Sequence, residues 1–164
     1  MLVALGAAAC NGAGAGADGG AESDADPGGC LPDGSGVVNG SVLGAAIAPV
    51  VRAFQLTTAQ GVVIALDEQP GSCGTVGSTG EHLALLFCAA PTPGIRALVD
   101  EQTFTCPGSD AAALVEQNGA TDLAEATGGT VTISAVSDDC VSGSFSASFA
   151  DEILAGSFDA VICP

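Results

Sequence analysis

The chain has 164 residues with nineteen acidic side chains, two arginines and one histidine, which gives a formal net charge of −17. This charge repels phosphate backbones and anionic headgroups, so it excludes nucleic acid as a partner and excludes membrane binding through a basic surface. We interpret the acidic residues mainly as a solvated surface, with a site for cations or basic partners as the alternative. The longest apolar run, Val42–Val51, contains Pro49 and is far too short to span a bilayer.

The first ten residues, MLVALGAAAC, have the pattern that ends a secretory signal, an apolar stretch followed by small residues. No basic residue precedes this stretch, so we expect the complete signal to begin upstream of Met1. The segment Ala7–Cys10 resembles the lipobox of bacterial lipoproteins, in which the cysteine thiol receives a diacylglycerol and the signal is cut just before it. The resemblance implies that 1–9 is a signal peptide and that Cys10 carries a lipid. The alternative is an ordinary apolar strand with Cys10 in a disulfide.

Residues 10–36 are predicted to be the lipidated cysteine followed by a flexible, disordered tether. From Asn11 to Gly36 the chain has nine Gly, two Pro and five acidic residues, and this composition buries too little to offset the entropy of ordering. A chain of this kind spans about 30 Å on average. A lipid anchor and a spacer are physically consistent with each other, which favours lipidation of Cys10. The remaining segment, 37–164, is long enough for one domain with its own core.

Domain 37–164 is predicted to be all-β, because short apolar stretches alternate with turn residues along most of its length. One segment, Ser109–Asn118, is predicted as a short helix, since it is rich in alanine between a serine cap and a glycine stop. Several short strands at close spacing indicate a single antiparallel β-sandwich or barrel with at most one short helix. In chain order, the predicted strands are Val37–Leu43, Ala48–Thr57, Gly61–Leu66, His82–Cys88, Ile95–Val99, Val131–Ala135, Val141–Phe149 and Leu154–Ile162.

The last two strands, VSGSFSASF and LAGSFDAVI, are predicted to form an antiparallel hairpin. Each has its larger apolar residues at every second position, so those residues share one buried face. A four-residue loop, Ala150–Ile153, places Phe145 opposite Phe158. The same register places Cys140 opposite Cys163 on the other face, close enough for a disulfide if the pair is not hydrogen-bonded.

Six cysteines remain once Cys10 is assigned to a lipid. An even number of cysteines in an exported protein indicates up to three disulfides that cross-link the domain. The spacing of the cysteines does not determine which of them pair. A metal site is disfavoured because the chain has no Cys-x-x-Cys pair and only one His. The disulfide candidates are Cys30, Cys73, Cys88, Cys106, Cys140 and Cys163.

Two related stretches, ALDEQPGSC from Ala65 and ALVDEQTFTC from Ala97, each place an acidic pair after a strand and a cysteine six residues beyond the aspartate. A duplicated Ca²⁺ turn is one interpretation, because carboxylates suit hard cations. The favoured interpretation is a solvated hairpin tip tied by a disulfide, because neither stretch has the alternating ligands of a calcium loop. The pair Asp24 and Asp26 in the tether is an equally weak candidate.

The sequence contains few of the residues that enzymes use. It has no Gly-x-Ser-x-Gly nucleophile elbow, and without lysine it has neither a phosphate loop nor a Schiff base. His82 is the only imidazole, and its place before the apolar run Leu83–Phe87 is typical of a strand-edge residue. A catalytic His82 would need a nucleophile and an orienting acid brought close by folding. The sequence indicates no cofactor.

The C-terminal stretches GGTVTISAV, VSGSF and LAGSFDA, closing on Cys163, resemble the hairpins of uncharacterised myxobacterial cell-envelope lipoproteins. The resemblance covers mainly Gly129–Cys163, together with the lipobox and the tether. It implies a small β domain on an outer-membrane anchor, with no assigned activity. It also implies that Cys163 pairs with Cys73 rather than with Cys140.

Two hypotheses for the function follow from these patterns. The favoured one is a non-catalytic binding or interaction module for a protein or small-molecule ligand, anchored in the outer membrane through the lipid on Cys10. The alternative is an exported hydrolase that uses carboxylates or His82. An acid-lined cleft that contains His82 would favour the hydrolase, whereas a filled core would favour the module.

Overall fold

A computed structural model describes residues 30–73, 75, 80–107, 111–117 and 122–164. The predicted signal peptide, Cys10 and most of the predicted tether lie outside these residues. Among the described residues, no helix has the length and hydrophobicity that crossing a bilayer requires. The regular elements are β1 (Ser35–Asn39), β2 (Arg52–Thr58), β3 (Gly61–Asp67), β4 (Glu81–Phe87), β5 (Gly94–Val99), a 3-10 turn (Glu101–Thr103), β6 (Ala111–Gln117), β7 (Asp122–Glu125), β8 (Gly128–Val136), β9 (Cys140–Phe149) and β10 (Glu152–Ile162).

Eight of the strands close into a barrel. Their hydrogen-bonded order is β10, β2, β3, β4, β6, β5, β8 and β9, and β9 pairs again with β10. Most neighbours are antiparallel, but β10 runs parallel to β2 and β5 runs parallel to β6. The all-β prediction is therefore confirmed, and the architecture is a closed barrel with two parallel contacts rather than a purely antiparallel sandwich.

The two remaining strands, β1 and β7, lie where the parallel neighbours diverge. β10 pairs with β2 at only two residues and with β1 at five, and both use the edge of β10 that β9 leaves open. In the same way, β6 pairs with β5 at two residues and with β7 at four, on the edge that β4 leaves open. Each short strand therefore binds backbone groups that a brief parallel contact leaves unpaired.

Apolar side chains fill the interior of the barrel, because every second residue of each strand points inward. Val42 and Ile47, from the loop between β1 and β2, also pack into this core. The larger buried side chains of the core are Ile47, Ile64, Leu66, Leu83, Leu85, Phe87, Val115, Val131, Ile133, Phe145, Phe149, Leu154 and Phe158.

The prediction of a helix at Ser109–Asn118 was wrong, because this segment contains strand β6. Ala111, Ala112 and Ala113 are all 0% exposed, so both faces of the strand are buried. The helix preference of alanine is worth only about 0.7 kcal/mol per residue or less. Pairing with β4 along the strand, together with packing on both faces, outweighs that preference. Strand β7 was not predicted.

The other predicted strands are present, with shifted ends. β1 begins at Ser35, inside the segment predicted as tether. In β8, Val131 and Ile133 are buried as predicted. A β-bulge after Ile133 changes the register, and Ala135, which was predicted to share their buried face, is exposed.

The hairpin of β9 and β10 has the predicted buried face, but its register is displaced by two residues. The turn is Ala150–Asp151 alone, so Phe145 lies opposite Gly156 and Phe158 lies opposite Gly143. A Cβ added at Gly143 would lie 2.6 Å from the Phe158 ring, and one at Gly156 would lie 2.9 Å from the Phe145 ring. The predicted pairing of the two rings was wrong, because each ring occupies the space above a glycine. A shift of two residues keeps every side chain on its face.

Three disulfides confirm the number inferred from the six cysteines. The pairing of Cys140 with Cys163 was wrong, since Val161 lies opposite Cys140 in the observed register. The pairing of Cys73 with Cys163, which the resemblance implied, is present. Each bridge ties a segment outside the barrel to the end of a barrel strand. The bridges are Cys30–Cys140, Cys73–Cys163 and Cys88–Cys106.

The packing of ring against glycine can be tested by mutation. Phe158→Ala should lower the free energy of unfolding by about 3–5 kcal/mol, because it leaves a cavity in the core. Gly143→Ala should lower it by about 1–3 kcal/mol, because the new methyl group overlaps the same ring and also the backbone carbonyl oxygen of Thr132, which would lie 2.5 Å away. The double variant should lose less than the sum, since the two residues are in contact. Urea unfolding with the disulfides intact measures all three values.

The matched control is Ser144→Ala, because Ser144 is adjacent to Gly143 and exposed on the outer face of β9. Its cost should stay below about 0.5 kcal/mol. Equal costs for Phe158→Ala and Ser144→Ala would show that the buried face is misassigned. An additive double variant would show that the ring does not rest on Gly143.

Candidate functional site

The two acidic stretches identified in the sequence fold into the same local structure. The Asp67 carboxylate accepts a hydrogen bond from the backbone N–H of Gln69 at 2.8 Å, and the Asp100 carboxylate accepts one from Gln102 at 2.9 Å. In both stretches an aspartate side chain stabilises a turn that begins where a strand ends. Within the described residues, no group of three or more His, Cys, Asp or Glu side chains is placed to hold a metal ion.

Asp67 also forms a buried ion pair with Arg52, which lies opposite it on β2. Arg52 Nη2 lies 2.7 Å from Asp67 Oδ2, and the two side chains are 4% and 1% exposed. The guanidinium also donates hydrogen bonds to the backbone carbonyls of Ser72, at 2.8 Å, and of Thr75. A buried charge that loses its partners is costly, so these contacts hold the loop after β3 against the barrel.

This loop covers part of the outer face of β2. Phe54 lies on that face, two residues from Arg52, and is only 1% exposed. The guanidinium carbon of Arg52 is 4.8 Å from the centre of the Phe54 ring, which is a cation–π contact. Cys73 of the loop is bonded to Cys163, whose N–H donates to the carbonyl of Gln55 at 2.9 Å. The disulfide therefore ties the loop across the strand.

His82, the predicted catalytic candidate, lies opposite Asp67 on β4 and is 4% exposed. Folding thus brings the histidine beside an acid, as a catalytic His82 requires. It also leaves both side chains almost without solvent contact, although a general base must reach its substrate directly or through one water. The row of Arg52, Asp67 and His82 is a buried polar cluster on the outer face of the sheet.

Glu68 and Glu81 lie together at the same end of β3 and β4. The Glu68 carboxylate accepts hydrogen bonds from the backbone N–H of Ala48 at 2.8 Å and of Glu81 at 3.3 Å. Burial and the negative charge of Glu68 both raise the pKa of Glu81, because both disfavour its ionised form. The carboxylate of Glu68 is therefore occupied by backbone donors.

An open apolar groove of about 670 Å³ lies beside the turn between β2 and β3. Val63 and Leu86, which are opposite each other on the outer faces of β3 and β4, line it together with the turn. Phe104 and Cys106 also line it, and the Cys88–Cys106 disulfide ties their segment to the end of β4. Among the described residues, the lining contains no charged side chain, so this part of the groove suits an apolar group.

A smaller hollow of about 340 Å³ adjoins this groove. Phe87 lines both recesses, and the half-cystines Cys106 and Cys88 line the groove and the hollow respectively. Of the described residues that line the hollow, Arg96 alone is charged. Its guanidinium donates to Thr92 Oγ1 at 2.8 Å, and within the described part of the chain it forms no ion pair with a carboxylate.

Comparisons of the chain with protein-family models, with curated proteins and with solved structures find no match.

Sequence reasoning identified Asp67, Asp100 and His82 as candidates but missed the roles of Arg52 and Arg96. A signal for Arg52 was available, since an arginine inside an apolar stretch predicted as a strand needs a buried partner. No such signal marks the groove, because its lining comes from three separate stretches, 58–63, 86–87 and 104–106, that only folding brings together. Cys10 lies outside the described residues, and the six other cysteine candidates are in disulfides.

The ion pair can be tested by removing one partner and then both. Arg52→Met should lower the free energy of unfolding by about 3–5 kcal/mol, because it leaves the Asp67 carboxylate buried without its counter-charge. Adding Asp67→Asn should recover most of this loss, since asparagine is neutral and still has an oxygen to accept from Gln69. Arg96→Met is the control, because Arg96 is partly exposed, and it should cost less than about 0.5 kcal/mol. Urea unfolding measures the four proteins, and equal losses for the single and double variants would contradict the assigned role.

Proposed function

We propose that this protein is a non-catalytic binding module of the bacterial cell envelope, attached to the outer membrane by a lipid on Cys10. The observation that carries the proposal is the apolar groove beside the Cys88–Cys106 disulfide. Ligand sites are concave, mostly apolar and roughly 300–1,000 Å³ in volume, and the groove, at about 670 Å³, falls inside this range. The barrel interior is filled by side chains, as expected for a binding module rather than for an enzyme with an internal cleft.

The three disulfides support an exported protein. Disulfides persist in oxidising compartments such as the periplasm and are rare in the cytosol, so the fold is compatible with an envelope or extracellular location. The lipid anchor and the outer membrane rest on the sequence of the first ten residues and on the composition of the tether.

The positions of the candidate catalytic groups weigh against the alternative, an exported hydrolase that uses carboxylates or His82. His82 and Asp67 are 4% and 1% exposed, and Asp67 neutralises Arg52. The carboxylate of Glu68 accepts two backbone hydrogen bonds. These groups are arranged to support the loops around the barrel rather than to meet a substrate.

The groove should bind the neutral dye Nile red with a rise in fluorescence, because burial of the dye against apolar walls removes it from water. Phe104→Ser should weaken this binding about five- to tenfold, as expected for the loss of part of one aromatic contact. The matched control is Ile153→Ser, which removes a 63% exposed apolar side chain on β10 outside the groove. Fluorescence titration of the three proteins measures the effect. Absence of dye binding, or equal loss in both variants, would contradict a ligand site in the groove.

The anchor can be tested in a Gram-negative host that expresses the gene with its complete signal. The protein should incorporate radioactive palmitate and partition into the detergent phase, and Cys10→Ser should abolish both. The control is Cys30→Ser, which breaks the Cys30–Cys140 disulfide and should retain the label. Unchanged membrane partitioning of Cys10→Ser would remove the anchor from the proposal.

A further inference from the structure

We infer that the groove and the adjoining hollow together bind one amphiphilic anion, a long-chain carboxylate whose alkyl chain lies in the groove and whose carboxylate meets Arg96. This inference rests on the proposed function and names the ligand class for its site. Phe87 lines both recesses, and one disulfide contributes a half-cystine to each. The apolar part and the cationic part of the site are therefore adjacent.

The groove side of the site is suited to an alkyl chain. Val63, Leu86 and Phe104 line it and are each partly exposed to water in the free protein. The described residues of the lining carry no charge, so an alkyl chain that covers them desolvates no charged group of theirs. Covering these side chains with an alkyl chain removes apolar surface from water, which is favourable.

Arg96 gives the hollow a preference for an anion. The chain has nineteen acidic side chains and two arginines. One of these, Arg52, is neutralised by Asp67. Arg96 instead donates to neutral oxygens, at Thr92 and at the carbonyl of Ile95, and has no carboxylate neighbour in an ion pair within the described part of the chain. A carboxylate is the acceptor that a guanidinium fork binds with two parallel hydrogen bonds.

The test compares three probes that share a ten-carbon chain and differ only in head group, namely decanoate, decanol and decyltrimethylammonium. Titration calorimetry below their micelle concentrations should show decanoate as the tightest ligand. Arg96→Gln should lower the affinity for decanoate about tenfold, which corresponds to the loss of one charge-assisted hydrogen bond. It should leave the affinity for decanol within about twofold of the unmodified protein. Arg96→Lys retains the charge without the fork, so its affinity for decanoate should lie between the two. Phe104→Ser should weaken the binding of all three probes.

The matched control is Ser144→Asp, which changes the net charge by the same amount as Arg96→Gln but on the outer face of β9, outside both recesses. It should leave the binding of decanoate unchanged. The inference is overturned if decanol binds as tightly as decanoate, if decyltrimethylammonium binds more tightly, or if Ser144→Asp matches the effect of Arg96→Gln. In those cases Nile red would still bind, and the proposed function would stand. Loss of Nile red binding as well would overturn both.

Discussion

The buried contact between Arg52 and Asp67 determines how the outside of this barrel is organised. Burying a guanidinium is costly unless several acceptors replace its water, and Arg52 has the Asp67 carboxylate and two carbonyls of the loop after β3 as acceptors. The same carboxylate stabilises the turn that begins this loop. One buried charge therefore sets where the loop starts and how it crosses β2. The loop in turn brings Cys73 to Cys163.

The groove depends on a second segment that leaves the barrel surface. The interior of the barrel is occupied by side chains, and the groove lies on its outer surface. The Cys88–Cys106 disulfide ties the segment that contains Phe104 to the end of β4, and Phe104 lines the groove. Arg52 binds the loop that follows the first acidic stretch and holds it against the barrel. Arg96, the other arginine, donates a hydrogen bond to Thr92 rather than to a carboxylate. It therefore remains a positive charge beside the open groove.

Local patterns predicted the strands well, because inward and outward positions alternate along each strand whatever its neighbours are. The buried face of the C-terminal hairpin follows from that alternation alone. The register of the hairpin does not follow from the alternation, because a shift of two residues keeps every side chain on the same face. The fit of Phe158 above Gly143 and of Phe145 above Gly156 decides between the alternatives. Three consecutive alanines in β6 show no hydrophobic periodicity that would distinguish a strand from a helix. Their burial between neighbouring segments is what makes this segment a strand.

The sequence by itself determined that the protein is all-β, disulfide-bonded and strongly acidic. The alternation of apolar and polar residues is a local property of each strand, and the charge and the number of cysteines are totals over the chain, so none of them depends on the tertiary structure. It also showed which acids begin turns. The tertiary structure alone decided that the sheet closes into a barrel, that Asp67 meets Arg52, and that Phe104 and Leu86 line one groove with Arg96 in the adjoining hollow. These features are contacts between segments distant in the chain. Their free energies depend on burial and on exact distances, which no local pattern of residues encodes.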